Sequence, residues 1–182
     1  MLEEIANLVA EYREKVKDFN KFMGDCVYID YEHLNDDLID IVKNLEGIVN
    51  NKLAPLFVKS YDNVDEAVFE MEMVFEEFIR EVDRLKCLYK ELEKYKKYDE
   101  KLEVYQKIIS RLLEQIETFL LKLENLLLRG GRGNLILEFN VTEEIMELKD
   151  KFHKDEVKRV GFGSFLLGLG LGWLIFGGDD ED

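Results

Sequence analysis

The sequence predicts an all-α fold, an antiparallel bundle of about four long amphipathic helices with coiled-coil-like packing. Apolar residues recur at alternating spacings of three and four over most of residues 1–129, which is the period of a helix with one buried face. The chain has a single proline to interrupt such helices. Of its 182 residues 47% are apolar, which is enough for one sizeable core.

The first two predicted helices are separated by a short β-prone piece, Cys26–Ile29. Pro55 is expected to end or kink the second helix, because proline lacks the backbone N–H and its ring clashes with the preceding turn. The first stripe consists of Leu2, Ile5, Val9, Tyr12, Val16, Phe19 and Met23, and the second of Leu34, Leu38, Ile41, Val42, Leu45, Ile48, Val49 and Leu53.

The third and fourth predicted helices carry heptad repeats typical of coiled coils. The linking residues 93–101 contain neither glycine nor proline, so one rod over 62–129 and a hairpin are both open. We favour the hairpin, because Asp99 can cap the fourth helix and because the first two stripes need partners. The repeats are Val64, Val68, Met71, Phe75, Phe78, Val82, Leu85, Tyr89 and Leu92, then Leu102, Tyr105, Ile109, Leu112, Ile116, Phe119, Leu123 and Leu126.

Residues 130–141 are predicted to form a glycine-rich turn followed by a β-prone connector. The glycines after Arg129 are expected to end the fourth helix, and Leu135–Val141 has the composition of a strand. Such a strand needs a partner, either Cys26–Ile29 or the same segment of another copy. A short amphipathic helix is predicted over 142–159, capped by Asn140 or Thr142, with an apolar face of Ile145, Met146, Leu148 and Phe152.

Residues 160–178 contain no ionisable side chain. As a helix this stretch would be about 28 Å long, close to the hydrocarbon thickness of a bilayer. An acidic tip, 179–182, follows it, whereas basic side chains precede it, and basic flanks stay on the cytoplasmic side. The sequence therefore predicts a tail-anchored, single-pass membrane protein with a cytosolic body. The juxtamembrane basic residues include Lys151, Lys154, Lys158 and Arg159.

Within this stretch, Ser164, Gly168 and Gly172 lie four residues apart and would form a small-residue face for self-association. Trp173 would suit the membrane interface. Seven glycines make the span marginal, however, since glycine lowers both helix propensity and hydrophobicity. Two alternatives therefore stay open: a soluble apolar tail that docks in a groove of this chain or of a partner, and an interfacial or pore-lining segment.

Charge and cysteine content narrow the remaining function classes. A net charge of −15 repels nucleic acid unless a local basic patch offsets it, and the glycine–arginine run 129–133 is better explained as a helix stop. The tyrosines of residues 89–105 are expected on the packing stripe, with the neighbouring lysines paired to acids. Cys26 and Cys87 are expected to be reduced thiols of a cytosolic protein.

No catalytic, cofactor or metal site is expected. The two histidines, His33 and His153, each follow an aspartate by three residues, but a di-metal bundle site needs glutamates from facing helices as well, so surface histidines are expected. We therefore expect a non-enzymatic scaffold or adaptor that binds lipid through 160–178 and recruits a protein partner or another copy. The alternative is a soluble assembly or cargo protein whose tail docks in a partner or shell.

Overall fold

A computed structural model describes residues 2–19, 33–130, 136–139 and 141–148, and the regular secondary structure of these residues is entirely helical, which confirms the all-α prediction. The chain divides into two compact units. The first contains Met1–Cys26 and Asn44–Glu138, and the second contains Val27–Lys43 and Phe139–Asp182. The helices are α1 (Leu2–Lys17), α2 (Leu34–Gly47), α3 (Ala54–Val58), α4 (Val64–Tyr95) and α5 (Lys101–Leu128), with a π-helical stretch, Ile48–Leu53, between α2 and α3.

Helices α4 and α5 form an antiparallel hairpin, so the predicted reversal is confirmed. Asp99 acts as expected, because its carboxylate accepts a hydrogen bond of 3.0 Å from the Lys101 N–H at the start of α5. The side-chain amide of Gln106 closes the hairpin by donating to the Tyr89 carbonyl and to the Glu93 carboxylate. Backbone hydrogen bonds also close the turn, since the Tyr98 N–H donates to the Tyr95 carbonyl and the Asp99 N–H to the Lys96 carbonyl, so the turn requires neither glycine nor proline.

Helix α1 packs against both arms of this hairpin. The apolar faces of the three helices form the core of the first unit, where burying each large side chain contributes about 1.5–3 kcal/mol. The predicted stripes are largely confirmed, although α1 ends at Lys17, before the expected Met23. Predicted stripe residues that the core buries are Ile5, Val9, Tyr12, Val16, Met71, Phe75, Phe78, Val82, Leu85, Leu92, Leu102, Tyr105, Ile109, Leu112, Ile116 and Leu123.

Pro55 does not end the second helical run, because the run widens just before it. The Ala54 N–H donates to the Val49 carbonyl five residues back, which is the π-helical pattern. This wide turn leaves Pro55 in the first turn of α3, where a missing N–H costs least. The chain thus accommodates the proline with a local change in helix type and continues to Val58.

The strand predicted at 135–141 is not present in the described residues 136–139. Burial does alternate there, since Leu137 is buried and Ile136 is exposed. The Leu137 backbone pairs with a side chain instead: its N–H donates to Asn50 Oδ1 at 2.9 Å, and its carbonyl accepts from Asn50 Nδ2 at 3.1 Å. The glycine predicted to end the fourth helix does so. Gly130 follows α5 directly and has a φ of 66°, the left-handed conformation that glycine tolerates.

In the second unit, two helical segments each bury an apolar face. The first part of α2 buries Leu34, Leu38 and Ile41. A helix over 142–148 buries Ile145 and Leu148, as predicted, and its first turn is closed by the Ile145 N–H, which donates to the Val141 carbonyl. The expected contributions of Asn140 and Phe152 lie outside the described residues.

Candidate interaction surface

The residues that the sequence singled out for membrane contact lie outside the described part of the chain, as does the whole stretch 160–178. Within the described residues, no helix is both long enough and apolar enough to cross a bilayer. The candidate interaction surfaces described below therefore lie on the first unit. The predicted site residues outside the described ranges are Ser164, Gly168, Gly172, Trp173, Lys151, Lys154, Lys158 and Arg159.

Among the residues that the structure describes, no group of three or more His, Cys, Asp or Glu side chains is arranged to hold a metal ion. His33 is exposed, as expected of a surface histidine, and His153 lies outside the described ranges. The polar chemistry of the first unit consists instead of contacts that fix helices relative to one another.

A buried lysine on α4 caps the end of α1. Lys86 Nζ donates to the carbonyl of Lys15 at 2.6 Å and to that of Asp18 at 2.9 Å, and its side chain has no solvent exposure. The last carbonyls of a helix lack intrahelical partners, and a cation there also interacts favourably with the helix dipole. Burial lowers the pKa of Lys86, and the charges of Asp83 and Asp18 partly oppose this shift. The sequence reasoning missed this contact, although a lysine four residues after the buried Val82 was the available clue.

Cys87, the next residue, is disulfide-bonded and only 9% exposed. The expectation of reduced thiols is therefore wrong for Cys87. That expectation rests on the wide separation of the two cysteines in sequence and on a cytosolic location, but a disulfide depends on distance in the fold and on the redox compartment. The only other cysteine of the chain, Cys26, lies outside the described residues.

The middle of α1 is attached to both of its neighbours. The Tyr12 hydroxyl donates to Glu76 Oε1 on α4 at 2.5 Å, and its ring stacks on Phe75 with a centroid distance of 4.9 Å. Burial and the Glu76 carboxylate both raise the pKa of Tyr12. Arg13 forms an ion pair of 3.0 Å with Glu124 of α5. Helix α1 runs parallel to α4, because Tyr12 lies beside Glu76 and the following turns lie beside Lys86.

The other flank of α4 carries residues 44–59, which run antiparallel to it. Three polar pairs define the register, and each step forward in 44–59 is a step backward in α4. The pair nearest the start of α4, Lys59 with Glu70, lies beside Tyr61. Burial and the Glu70 carboxylate raise the pKa of Tyr61 to about 12. The pairs are Asn44 Nδ2 to Glu81 Oε1 at 2.6 Å, Lys52 Nζ to Glu77 Oε1 at 2.5 Å and Lys59 Nζ to Glu70 Oε1 at 2.9 Å.

Between these two flanks, the first turns of α4 present large apolar side chains to solvent. Phe69 is 64% exposed and Met73 is 61% exposed, and four residues place them on one side of the helix. Exposed acidic side chains surround them. We call this surface the α4 outer face and define it by Asp62, Asp65, Glu66, Phe69, Glu72 and Met73.

A second exposed aromatic group lies at the turn between α4 and α5. Tyr98 is 75% exposed and Tyr95 is 40% exposed, so the prediction that these tyrosines lie on the packing stripe is wrong for both. It is right for Tyr105, which is fully buried. Helix α4 ends at Tyr95, and the rings of Tyr95 and Tyr98 lie at this end with a centroid distance of 6.5 Å. The predicted lysine pairing is confirmed for Lys94 with Glu91 and for Lys96 with Glu93.

The chain matches no protein-family model, no curated protein and no solved structure. In the described part of the first unit, polar groups attach helices to one another, and the α4 outer face combines apolar area with unneutralised charge. That combination suits the binding of another polypeptide.

Proposed function

We propose that this chain is a non-enzymatic, tail-anchored helical scaffold that recruits a protein partner, or another copy, at a membrane. The observation that carries the proposal is the uncharged stretch 160–178, with basic residues before it and acids after it. Unpaired backbone groups cost several kcal/mol in hydrocarbon, so lipid would drive even this glycine-rich segment to form a helix. The basic flank favours a cytosolic body, whereas the disulfide at Cys87 is typical of an oxidising compartment.

The body of the scaffold is proposed to be a four-helix bundle. Helices α1, α4 and α5 supply three members, and residues 44–58, which follow α4 on its free side, supply the fourth. A rigid body of this kind presents surfaces at fixed positions. Recruitment of a partner by a membrane-held bundle requires no bound cofactor.

The anchor itself is proposed to self-associate. Ser164, Gly168 and Gly172 would let two spans approach closely, and Trp173 would lie near the interface. Replacing Gly168 and Gly172 by isoleucine should keep the span in the membrane and weaken self-association. A crosslinking ladder of the full chain that is unchanged in this variant would argue against the small-residue face.

Membrane fractionation tests the anchor. The full chain is compared with a version that ends at Arg159 and with a full-length control, Leu167→Asp with Leu171→Asp. A charged residue at mid-span costs about 2.5–3.5 kcal/mol, so the control should not insert. The full chain should stay with membranes after high-salt and alkaline washes, and both variants should be released. Recovery of the full chain entirely in the supernatant would refute the anchor.

A second candidate function is that of a soluble assembly or cargo protein whose apolar tail docks in a groove of a partner or shell. The seven glycines of residues 160–178 favour it, because they weaken insertion into lipid. Mass in solution without detergent separates the two functions. A monodisperse full-length species supports the docking tail, and aggregation relieved only by detergent supports the anchor.

A further inference from the structure

We infer that the α4 outer face is the docking site for a basic amphipathic helix of a partner protein. The inference rests on the proposed recruiting role and names the surface that performs it. Single exposed apolar residues are common on proteins. Here two large apolar residues, Phe69 and Met73, share one side of a helix. An amphipathic helix can contact such a pair with apolar side chains at the same helical spacing.

The same side of α4 is covered further along the helix. Phe69 and Cys87 are eighteen residues apart, which is about five helical turns, so they lie in line. Cys87 is 9% exposed and Asp83, on the same side, is 8% exposed. This side of α4 is therefore open at its beginning and at Arg80, which is exposed, and buried from Asp83 to Cys87.

Neighbouring elements border the open part on both sides. Helix α1 approaches through the Tyr12–Glu76 hydrogen bond, and residues 52–59 approach through the Lys59–Glu70 ion pair. Val58 is 84% exposed and adds apolar area at this second border. The α4 outer face is thus a narrow strip between α1 and residues 52–59. A single helix could lie along this strip.

The negative charge of this strip favours a basic binding partner. Asp62, Asp65, Glu66 and Glu72 are exposed and form no ion pair with the described residues. The neighbouring acids have partners within the protein: Glu70 pairs with Lys59, and Glu76 contacts Tyr12 and Lys15. A second copy would bring the same acids to the contact, and anionic lipid would also be repelled. Lysine or arginine beside apolar anchors complements this strip.

A peptide-binding experiment tests the docking site. The probe is a fluorescent synthetic peptide of leucine and lysine at helical spacing, and a peptide of equal composition in scrambled order is its control. The full chain is titrated in one mild non-ionic detergent throughout, and anisotropy is measured. The test variant is Phe69→Ala with Met73→Ala, and the matched control is Leu121→Ala with Leu128→Ala, two α5 residues that are 42% and 58% exposed.

We expect the Phe69/Met73 variant to bind the probe about tenfold to a hundredfold more weakly, because two anchors are lost. The α5 control should stay within about twofold, since its side chains lie elsewhere. Neutralising the strip with Asp65→Asn, Glu66→Gln and Glu72→Gln should weaken binding at low salt and flatten its salt dependence.

Equal binding by the Phe69/Met73 variant, or equal binding of the scrambled peptide, would overturn the inference. A wild-type dimer that dissociates in the Phe69/Met73 variant during sedimentation would instead assign the strip to a second copy. Binding of the wild type, but not of this variant, to anionic vesicles would assign it to lipid. The titration does not depend on fractionation, so failure of the anchor and failure of the docking site give different results.

Discussion

Replacing Lys86 by methionine should destabilise the protein by about 2–4 kcal/mol. Methionine keeps the length and apolar stem of lysine but removes the donor that serves the Lys15 and Asp18 carbonyls at 2.6 and 2.9 Å. A hydrogen bond that involves a charged group contributes about 1.5–3 kcal/mol net, so two such bonds set an upper range of about 3–6 kcal/mol. Burial of the ammonium lowers the pKa of Lys86 and carries a desolvation cost, which shifts the expected loss down from that range to about 2–4 kcal/mol.

Urea unfolding followed by far-ultraviolet circular dichroism measures this loss, and hydrogen exchange locates it. The amides of α1 should lose more protection than those of α5, because the α1 terminus loses its cap. Lys94→Met is the matched control on the same helix. Lys94 is 67% exposed and pairs with Glu91 at the surface, so its replacement should change stability by no more than about 0.5 kcal/mol.

The pH dependence of Lys86→Met gives an independent check. Because the pKa of Lys86 is lower in the folded protein than its usual 10.5, the unfolded chain binds the proton more tightly. Wild-type stability relative to the variant should therefore rise as pH passes from the lowered pKa toward 10.5. A variant as stable as wild type at neutral pH would refute the reasoning, since the two hydrogen bonds would then not offset the burial of the ammonium.

Three further predictions follow from single contacts. Asn63→Ala should cost about 1 kcal/mol in urea unfolding, because the Asn63 side chain caps α4 through the Glu66 N–H at 2.8 Å; Asn63→Asp should retain the cap, and equal losses in both variants would contradict this account. Stability should fall between about pH 10 and pH 12, because the folded protein holds the Tyr61 proton to about 12 while the unfolded chain releases it near 10; Tyr61→Phe should make alkaline unfolding less steep, and an unchanged profile would count against the assignment. Cys87 should resist alkylation in denaturant until a reductant is added, and reduction should lower stability by about 2–4 kcal/mol; mass spectrometry of the unreduced chain with Cys87 already alkylated would disprove the disulfide.

Helical periodicity was enough to predict α1, α4 and α5 of the first unit. The spacing of Phe75, Phe78 and Val82 predicts a buried face on α4, and all three are buried. Asp99 indicated the turn between α4 and α5 because capping is a local interaction. Features that depend on a few neighbouring residues were thus accessible from the sequence.

Features that depend on contacts distant in sequence were not. Lys86 looks like a surface residue until the end of α1 is placed beside it, and the bonding state of Cys87 cannot be read from the spacing of two cysteines. The α4 outer face was missed for a related reason. Phe69 and Met73 are apolar residues within a heptad-rich segment, and only the positions of the neighbouring elements show that nothing in the described part of the chain covers them.

The pairing of Asn50 with Leu137 also bears on the solubility of the chain. An extended segment with a free N–H and carbonyl is a template for another extended chain, and proteins protect such templates against aggregation. At Leu137 both groups are already bonded to one amide side chain, which imitates a neighbouring peptide unit. A single asparagine thereby leaves neither backbone group of Leu137 free to pair with another extended chain.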